Sequence, residues 1–171
     1  YDVVYTRDSD VYDSPIDKAR IANNSGADYF VSIHRNSSPN PNTYSGVETL
    51  IYDDSGIKAQ MARNIDSELA KVGFNDLGIS ERPGLVVLRR TNMPAVLVEA
   101  GFINSDTDNA IFDQNFDQVA DAIAKGIADT VSPSERTYGV QIGLFNRFEN
   151  ADYLLQQAIN QGYQGQVRRW N

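Results

Sequence analysis

The stretch Asp28-Tyr29-Phe30-Val31-Ser32-Ile33-His34-Arg35-Asn36-Ser37-Ser38 contains the only histidine of the chain. Apolar and aromatic residues lead up to His34 and small polar residues follow it, which is typical of a buried strand that ends in a loop. The run Ala95-Val96-Leu97-Val98 precedes Glu99 in the same way. If the two strands lie parallel in one sheet, His34 and Glu99 emerge at the same edge, where open α/β sheets bind ligands.

Strand and helix patterns alternate along residues 1–131. The expected strands are 2–6, 28–34, 46–52 and 95–98, with a further short strand at 85–88. The expected helices begin after the capping residues Ser14 and Ser105 and also cover residues 57–72 and 116–127, with Gly26 and Gly73 as stop signals. This alternation predicts an α/β fold with a mixed, mostly parallel sheet that is flanked by helices.

The pattern changes after Ser132-Pro133-Ser134. Residues 1–133 hold 11 Lys and Arg against 20 Asp and Glu, whereas residues 134–171 hold 4 against 3. We therefore expect a first domain at 1–131, a linker at 132–136 and a second module at 137–171. That module has an expected strand at 138–145, a helix capped by Asn150 and the start of another strand. These elements are too few to enclose a core, so they indicate a partial α+β module.

Composition narrows the class of protein. The net charge of −8 argues against a nucleic-acid partner, because such proteins usually carry a basic face. No stretch approaches the roughly 20 apolar residues of a membrane span. The absence of cysteine excludes disulfides, thiolate zinc sites and cysteine nucleophiles. The chain opens on the strand-like Tyr1-Asp2-Val3-Val4-Tyr5 and has no leader, so we expect a processed or truncated amino terminus.

His34 and Glu99 are the strongest candidates for chemistry, and each has a plain alternative. A neutral imidazole at a strand end makes a good zinc ligand, but a lone histidine can equally form a structural hydrogen bond there. A carboxylate after four apolar residues is costly to bury without a partner, so Glu99 could serve as a general base near a metal. Its alternative is a salt bridge to Arg89 or Arg90.

Other polar residues are weaker candidates. Glu48 is expected to be a solvated or ion-paired strand carboxylate. Asn36, directly after the His34 strand, and Arg82 are the candidate substrate-binding residues, and an anionic substrate group could also meet Arg7, Arg35 or Arg89. A catalytic zinc usually has three protein ligands. Since the chain has one histidine and no cysteine, it does not supply an evident complete set.

Several motifs stand in a fixed order along residues 1–131. They are Val4-Tyr5-Thr6-Arg7-Asp8, Arg20-Ile21-Ala22-Asn23, Ser32-Ile33-His34-Arg35-Asn36, Gly46-Val47-Glu48-Thr49 and the segment 90–103, RTNMPAVLVEAGFI. Together they resemble the zinc-dependent N-acetylmuramoyl-L-alanine amidases (amidase type 3) of bacterial cell-wall turnover.

The resemblance implies a hydrolase that cleaves the amide between N-acetylmuramic acid and L-alanine of the peptidoglycan stem peptide. In that family His34 matches the last zinc ligand and Glu99 the catalytic glutamate. Zinc would activate a water molecule, and Glu99 would take its proton and pass it to the leaving amine. Peptidoglycan, as muramoyl-peptide and glycan strands, would be the partner of a secreted, extracellular or cell-wall-associated protein.

The chain also departs from the family pattern. The family's first histidine ligand and its glutamate ligand lie upstream of where Tyr1 stands, so the resemblance implies that the first strand or strands are missing. We therefore expect the chain alone to bind zinc weakly and to lack activity. The tail resembles the start of a SPOR-type domain, which binds glycan strands stripped of stem peptides. That likeness rests on Tyr138-Gly139-Val140-Gln141-Ile142-Gly143-Leu144-Phe145 with Ala151, Leu155 and Gly162.

Two other functions remain open. The first is a non-catalytic peptidoglycan-binding protein with an inactive amidase-like domain. The second is a different metal hydrolase, such as a peptidase acting on the stem peptide.

Overall fold

Residues 1–131 and 147–161 are described by a computed structural model of the chain. The chain divides into two units, residues 1–134 and 135–171. The strands of the first unit are β1 (Phe30–Asn36), β2 (Val47–Ile51), β3 (Asp76–Glu81) and β4 (Ala95–Phe102). Its helices are α1 (Pro15–Ser25), α2 (Gly56–Val72), α3 (Val86–Arg89), α4 (Asp106–Gln114) and α5 (Phe116–Val131). The second unit contains α6 (Phe148–Asn160).

The four strands form one sheet in the order β1-β4-β2-β3. The β1–β4 and β2–β3 pairs are parallel, and the β2–β4 pair between them is antiparallel. This arrangement confirms the predicted mixed, mostly parallel sheet. The strands that carry His34 and Glu99 are parallel, as their placement at one edge of the sheet requires, and they are also neighbours.

Alternation along β4 divides the core between the two faces of the sheet. Val96, Val98 and Ala100 join the larger apolar cluster, which includes buried residues of α2 and α5. Ala95 and Leu97 join the smaller cluster, which includes Ala22 of α1 and buried residues of α3. Glu99 follows Leu97 in this alternation, so its side chain lies on the face that α1 and α3 cover.

Most of the expected helix ends are confirmed. The Ser14 hydroxyl oxygen accepts a hydrogen bond from the backbone N–H of Asp17 at 3.1 Å, which caps α1. Gly26 ends α1 with φ of 73°, in the left-handed region that favours glycine. Ser105 caps α4 by accepting from the backbone N–H of Asp108 at 3.3 Å.

The predicted strand at 2–6 is wrong. These residues lie outside helices and strands, and Val3 and Tyr5 are 67% and 73% exposed. Their alternating pattern favours a strand, but a strand also needs a neighbouring ladder and an apolar surface to cover. Among the described residues no strand pairs with this segment, and its large apolar side chains are exposed.

The region between α2 and β4 differs from expectation in two ways. Residues 86–89 form the short helix α3 instead of part of a strand, since a run of four apolar residues does not distinguish the two types. The strand β3 was not expected, because Asp76 and Gly78 interrupt the apolar alternation.

In the second unit a helix is confirmed, although α6 begins at Phe148, two residues before the expected cap Asn150. The expected linker at 132–136, the strand at 138–145, Gly162 and the strand start at 166–167 lie outside the described residues. Within the described ranges, no helix has both the length and the apolar character needed to cross a membrane.

Candidate active site

Three titratable side chains form one row across neighbouring strands. His34 of β1 pairs in register with Glu99 of β4, and Glu99 pairs in register with Glu48 of β2. Residues that pair in register point to the same side of a sheet. The row therefore lies on the face covered by α1 and α3, beyond the apolar cluster that contains Leu97 and Leu50.

Glu99 lies in the middle of the row and carries an unusual carboxyl group. Its Oε2 atom is buried and has no hydrogen-bond partner among the described residues. Burial, followed by the negative charge of Glu48, raises the pKa of Glu99 to about 7. The described residues contain no ion pair to Glu99, so the alternative salt bridge to Arg89 or Arg90 is not formed there. Such a carboxyl can take up and release a proton near neutral pH.

His34 has an exposed side chain at the edge strand. Its Nε2 atom lies 2.8 Å from the Ser32 hydroxyl oxygen, two residues earlier on the same face. Partial burial and then the positive charge of Lys18 lower the pKa of the imidazole. The ring is therefore neutral at pH 7, which is the form that binds a metal.

Glu48 lies at the other end of the row beside a hydroxyl and a guanidinium group. Its Oε1 atom accepts a hydrogen bond from the Ser80 hydroxyl and lies 3.8 Å from the Arg82 guanidinium. The expectation of an ion-paired carboxylate is confirmed. Its position beside Glu99 was missed, because the register between β2 and β4 joins segments almost fifty residues apart. In the sequence, the only indication of this position was that Glu48 and Leu50, two residues apart on one strand, point to the same face of the sheet.

Arg35 points away from this row. Its guanidinium donates hydrogen bonds to the carbonyl oxygens of Ala100 and Phe102 at 3.3 and 3.2 Å and to Asn109 Oδ1 at 2.8 Å. It also lies 4.4 Å from the centre of the Phe112 ring. Arg35 therefore fixes α4 to the end of β4 and is not free to bind an anionic substrate. Arg7 is paired with Asp10 at 2.8 Å.

A firmly connected loop follows β1. The buried carboxylate of Asp108 accepts hydrogen bonds from Ser45 Oγ at 2.7 Å and from the backbone N–H groups of Gly46 and Phe102 at 2.9 and 2.7 Å. Asn104 and Ser38 are linked in the same region through the side chain of Asn104. This loop lies at the carboxyl ends of β1 and β4.

The two candidate substrate-binding residues lie on different sides of the row. Asn36 ends β1, and its Oδ1 atom accepts from the backbone N–H of Ser37 at 2.8 Å. Arg82 follows β3, and its side chain is 51% exposed beside Glu48. Neither geometry tests a substrate contact, so both assignments stay predictions.

The donor chemistry of the row fits part of a zinc site. His34 offers a neutral imidazole, and the unpartnered oxygen of Glu99 lies beside it in register. Within residues 1–131 and 147–161, however, no group of three or more His, Cys, Asp or Glu residues could hold a metal ion. Among the described residues, the row thus offers one suitable zinc ligand beside a carboxyl group that can act as a base.

Comparison with known proteins identifies the family. The family model described as N-acetylmuramoyl-L-alanine amidase matches residues 1–129. The chain belongs to this amidase family. A sporulation-specific N-acetylmuramoyl-L-alanine amidase of Bacillus subtilis is 36% identical over 172 residues, covering 94% of this chain and 64% of that protein. An endolysin of Bacillus phage SPP1 is 37% identical over 143 residues, covering 80% of this chain and 52% of the endolysin.

Solved amidase structures share the fold. An N-acetylmuramoyl-L-alanine amidase from Clostridium difficile 630 matches with a TM-score of 0.68 and 37% identity, covering 75% of this chain and 70% of that one. The catalytic domain of the amidase CwlV from Bacillus (Paenibacillus) polymyxa matches with a TM-score of 0.66 and 34% identity, covering 75% and 71%. The chain thus spans between half and two thirds of the two curated relatives and a larger share of these structures.

Proposed function

We propose that the full-length gene product is a peptidoglycan hydrolase that cleaves the amide between N-acetylmuramic acid and L-alanine of the stem peptide. The observation that carries the proposal is the pairing of Glu99 with His34 at one edge of the sheet. The family membership of residues 1–129 supports the same reaction.

In this proposal Glu99 acts as the general base and then as the general acid. Because its pKa is raised to about 7, the carboxyl can accept a proton from the attacking water and later donate it to the alanine amine. His34 would hold zinc through its neutral imidazole. Zinc would supply Lewis-acid activation of the water and the scissile carbonyl. The negative charge of Glu48, which lies beside Ser80 and Arg82, favours the protonated form of Glu99.

Purified muropeptides and mass spectrometry test the reaction. The full-length gene product should release an intact stem peptide with a free alanine amine, together with a sugar that carries a free lactyl carboxyl group. A Glu99→Gln variant should lose about 10²- to 10⁴-fold in rate, the usual contribution of a general acid–base group. Cuts between residues within the stem peptide would instead support a peptidase.

The second candidate is a non-catalytic peptidoglycan-binding protein. It is favoured by the lack of a three-ligand group among the described residues. Zinc content of the full-length product, measured by mass spectrometry after gel filtration, distinguishes the two. Stoichiometric zinc supports the hydrolase. A metal-free protein that binds purified sacculi without releasing peptide supports the binding protein.

We also infer that the protein acts outside the cell membrane, where peptidoglycan lies, and that residues 137–171 are part of a SPOR-like glycan-binding module. The helix α6 and the resemblance of the tail sequence support the second inference. Cosedimentation with glycan strands stripped of stem peptides should fall when residues 137–171 are deleted. Equal binding by both proteins would contradict it.

A further inference from the structure

Lys18 of α1 lies above the β1 end of the row. Four residues later, Ala22 on the same side of the helix packs in the apolar cluster with Phe30 and Leu97. The short connection 26–29 turns α1 back into β1, so the helix runs opposite to the strand. One helical turn rises about 5.4 Å, and two strand residues span about 6.6 Å. Lys18 is therefore about level with Ser32, and its charge reaches the His34 imidazole, which lies beside Ser32 on the same face.

Lys18 has no ionic partner among residues 1–131 and 147–161. Neighbouring charges on α1 are already used, since Arg20 pairs with Asp17 at 2.8 Å. Lys18 itself is partly buried, and no ion pair or side-chain hydrogen bond between described residues includes it. Removing part of the hydration of an ammonium group is costly unless an anion compensates it. An anion that approached this partly buried, unpaired cation would therefore compensate its charge.

At the Glu48 end of the row, the positive charge is compensated. Arg82 lies there with Glu48 at 3.8 Å, so that cation already has a carboxylate neighbour. The row ends at Glu48 on β2, two strand spacings of about 4.8 Å from β1, so its two ends lie about 10 Å apart. The Lys18 end is thus the one at which an incoming carboxylate meets an uncompensated positive charge.

We propose that Lys18 determines substrate specificity by binding a carboxylate of the stem peptide, carried by a residue close to the cleaved amide. This inference rests on the proposed amidase function and names the part of the substrate that the site recognises. Lys18 binds this group in the ground state and in the transition state alike, so it acts mainly on KM.

The test compares two muropeptides that differ only in whether the stem-peptide carboxylates are free or amidated. Lys18→Met should raise KM for the free-acid substrate roughly tenfold, the size of one lost charge-assisted hydrogen bond, with kcat nearly unchanged. It should leave KM for the amidated substrate within about twofold. Lys18→Arg should restore most of the affinity. Lys71→Met, an exposed lysine on α2, is the matched control and should change neither KM.

The outcomes separate this inference from the proposed function. Cleavage of both substrates with equal effects of Lys18→Met, or with none, overturns the role of Lys18 and leaves the amidase activity intact. If the wild-type full-length gene product cleaves neither substrate, the amidase function fails. Equilibrium binding of the same two muropeptides then decides the role of Lys18, because only the free acid should bind more weakly to Lys18→Met. Equal binding overturns it.

Discussion

Glu48 and Glu99 stand opposite each other on the antiparallel strands β2 and β4, with their Cα atoms in register. The two carboxyl groups differ in their polar neighbours. Glu48 has the Ser80 hydroxyl and the Arg82 guanidinium beside it, whereas Glu99 Oε2 has no hydrogen-bond partner in the described part of the chain. Burial and the negative charge of Glu48 therefore raise the pKa of Glu99 to about 7.

Glu48→Gln should move the pH dependence of hydrolysis. Glu99 must be ionised to act as a base, so kcat/KM should rise as the pH increases through its pKa of about 7. Removing the negative charge of Glu48 lowers the pKa of Glu99, and the acidic limb of the profile should shift to lower pH. Glu81→Gln, at an exposed residue at the end of β3, should leave the limb in place. An unchanged limb in Glu48→Gln would contradict the coupling.

A second buried carboxyl, on the opposite face of the sheet, should make stability depend on pH. Asp66 of α2 accepts hydrogen bonds from Thr49 Oγ1 at 2.6 Å and from the Thr49 backbone N–H at 3.2 Å. Burial raises its pKa from 3.8 to about 7. Between these values the folded state binds more protons than the unfolded state, so the free energy of unfolding should fall as the pH rises from about 4 to about 7.

Asp66→Asn tests this dependence, since an amide cannot ionise and can still pair with both groups of Thr49. Urea denaturation across pH 4–8 should give a variant that matches the wild type near pH 4 and exceeds it above pH 7. Glu99 adds a slope of the same sign to both proteins, so the difference between the two curves is the informative quantity. Parallel curves would mean that Asp66 is ionised in the folded protein.

The sequence allowed part of this site to be predicted. Apolar runs that end at His34 and Glu99 indicated two buried strands, and the alternation of strands and helices indicated a mostly parallel sheet. That the two strands are direct neighbours is seen only in the structure. The place of Glu48 could not be predicted, because a register between distant strands depends on tertiary packing. Residues 2–6 were assigned to a strand from the local pattern alone. A local pattern does not show whether a second strand lies alongside to form the backbone hydrogen bonds.

Arg35 shows the same limit for side chains. Its position next to His34 suggested a substrate contact, yet strand alternation turns it to the other face, where it contacts α4.

Arg35→Lys should lower the free energy of unfolding by about 1–3 kcal/mol, because an ammonium cannot reproduce the forked hydrogen bonds to β4 and Asn109. Arg63→Lys, an exposed residue paired with Asp54, should stay within about 0.5 kcal/mol in the same urea titration. Equal losses in both variants would argue against the structural role of Arg35.

Gly126 sets the distance between α5 and α2. A Cβ atom at this position would lie 2.6 Å from Ile65 Cα and 2.7 Å from the Ile65 backbone nitrogen. Backbone atoms cannot move aside as a flexible side chain can, so Gly126→Ala should separate the helices. We expect a loss of about 1–3 kcal/mol in the free energy of unfolding, although alanine favours a helix by about 1 kcal/mol.

Gly84→Ala is the matched control for this substitution. Its added Cβ would meet no atom within 4 Å, and its backbone is not in the left-handed region. Chemical denaturation should therefore place it within about 0.5 kcal/mol of the wild type. If the Gly126→Ala variant were as stable as the Gly84→Ala variant, the backbones of α2 and α5 would have to lie farther apart than in this structure. The apolar cluster behind Val96 and Val98 would then be looser, and with it the support of the strand that carries Glu99.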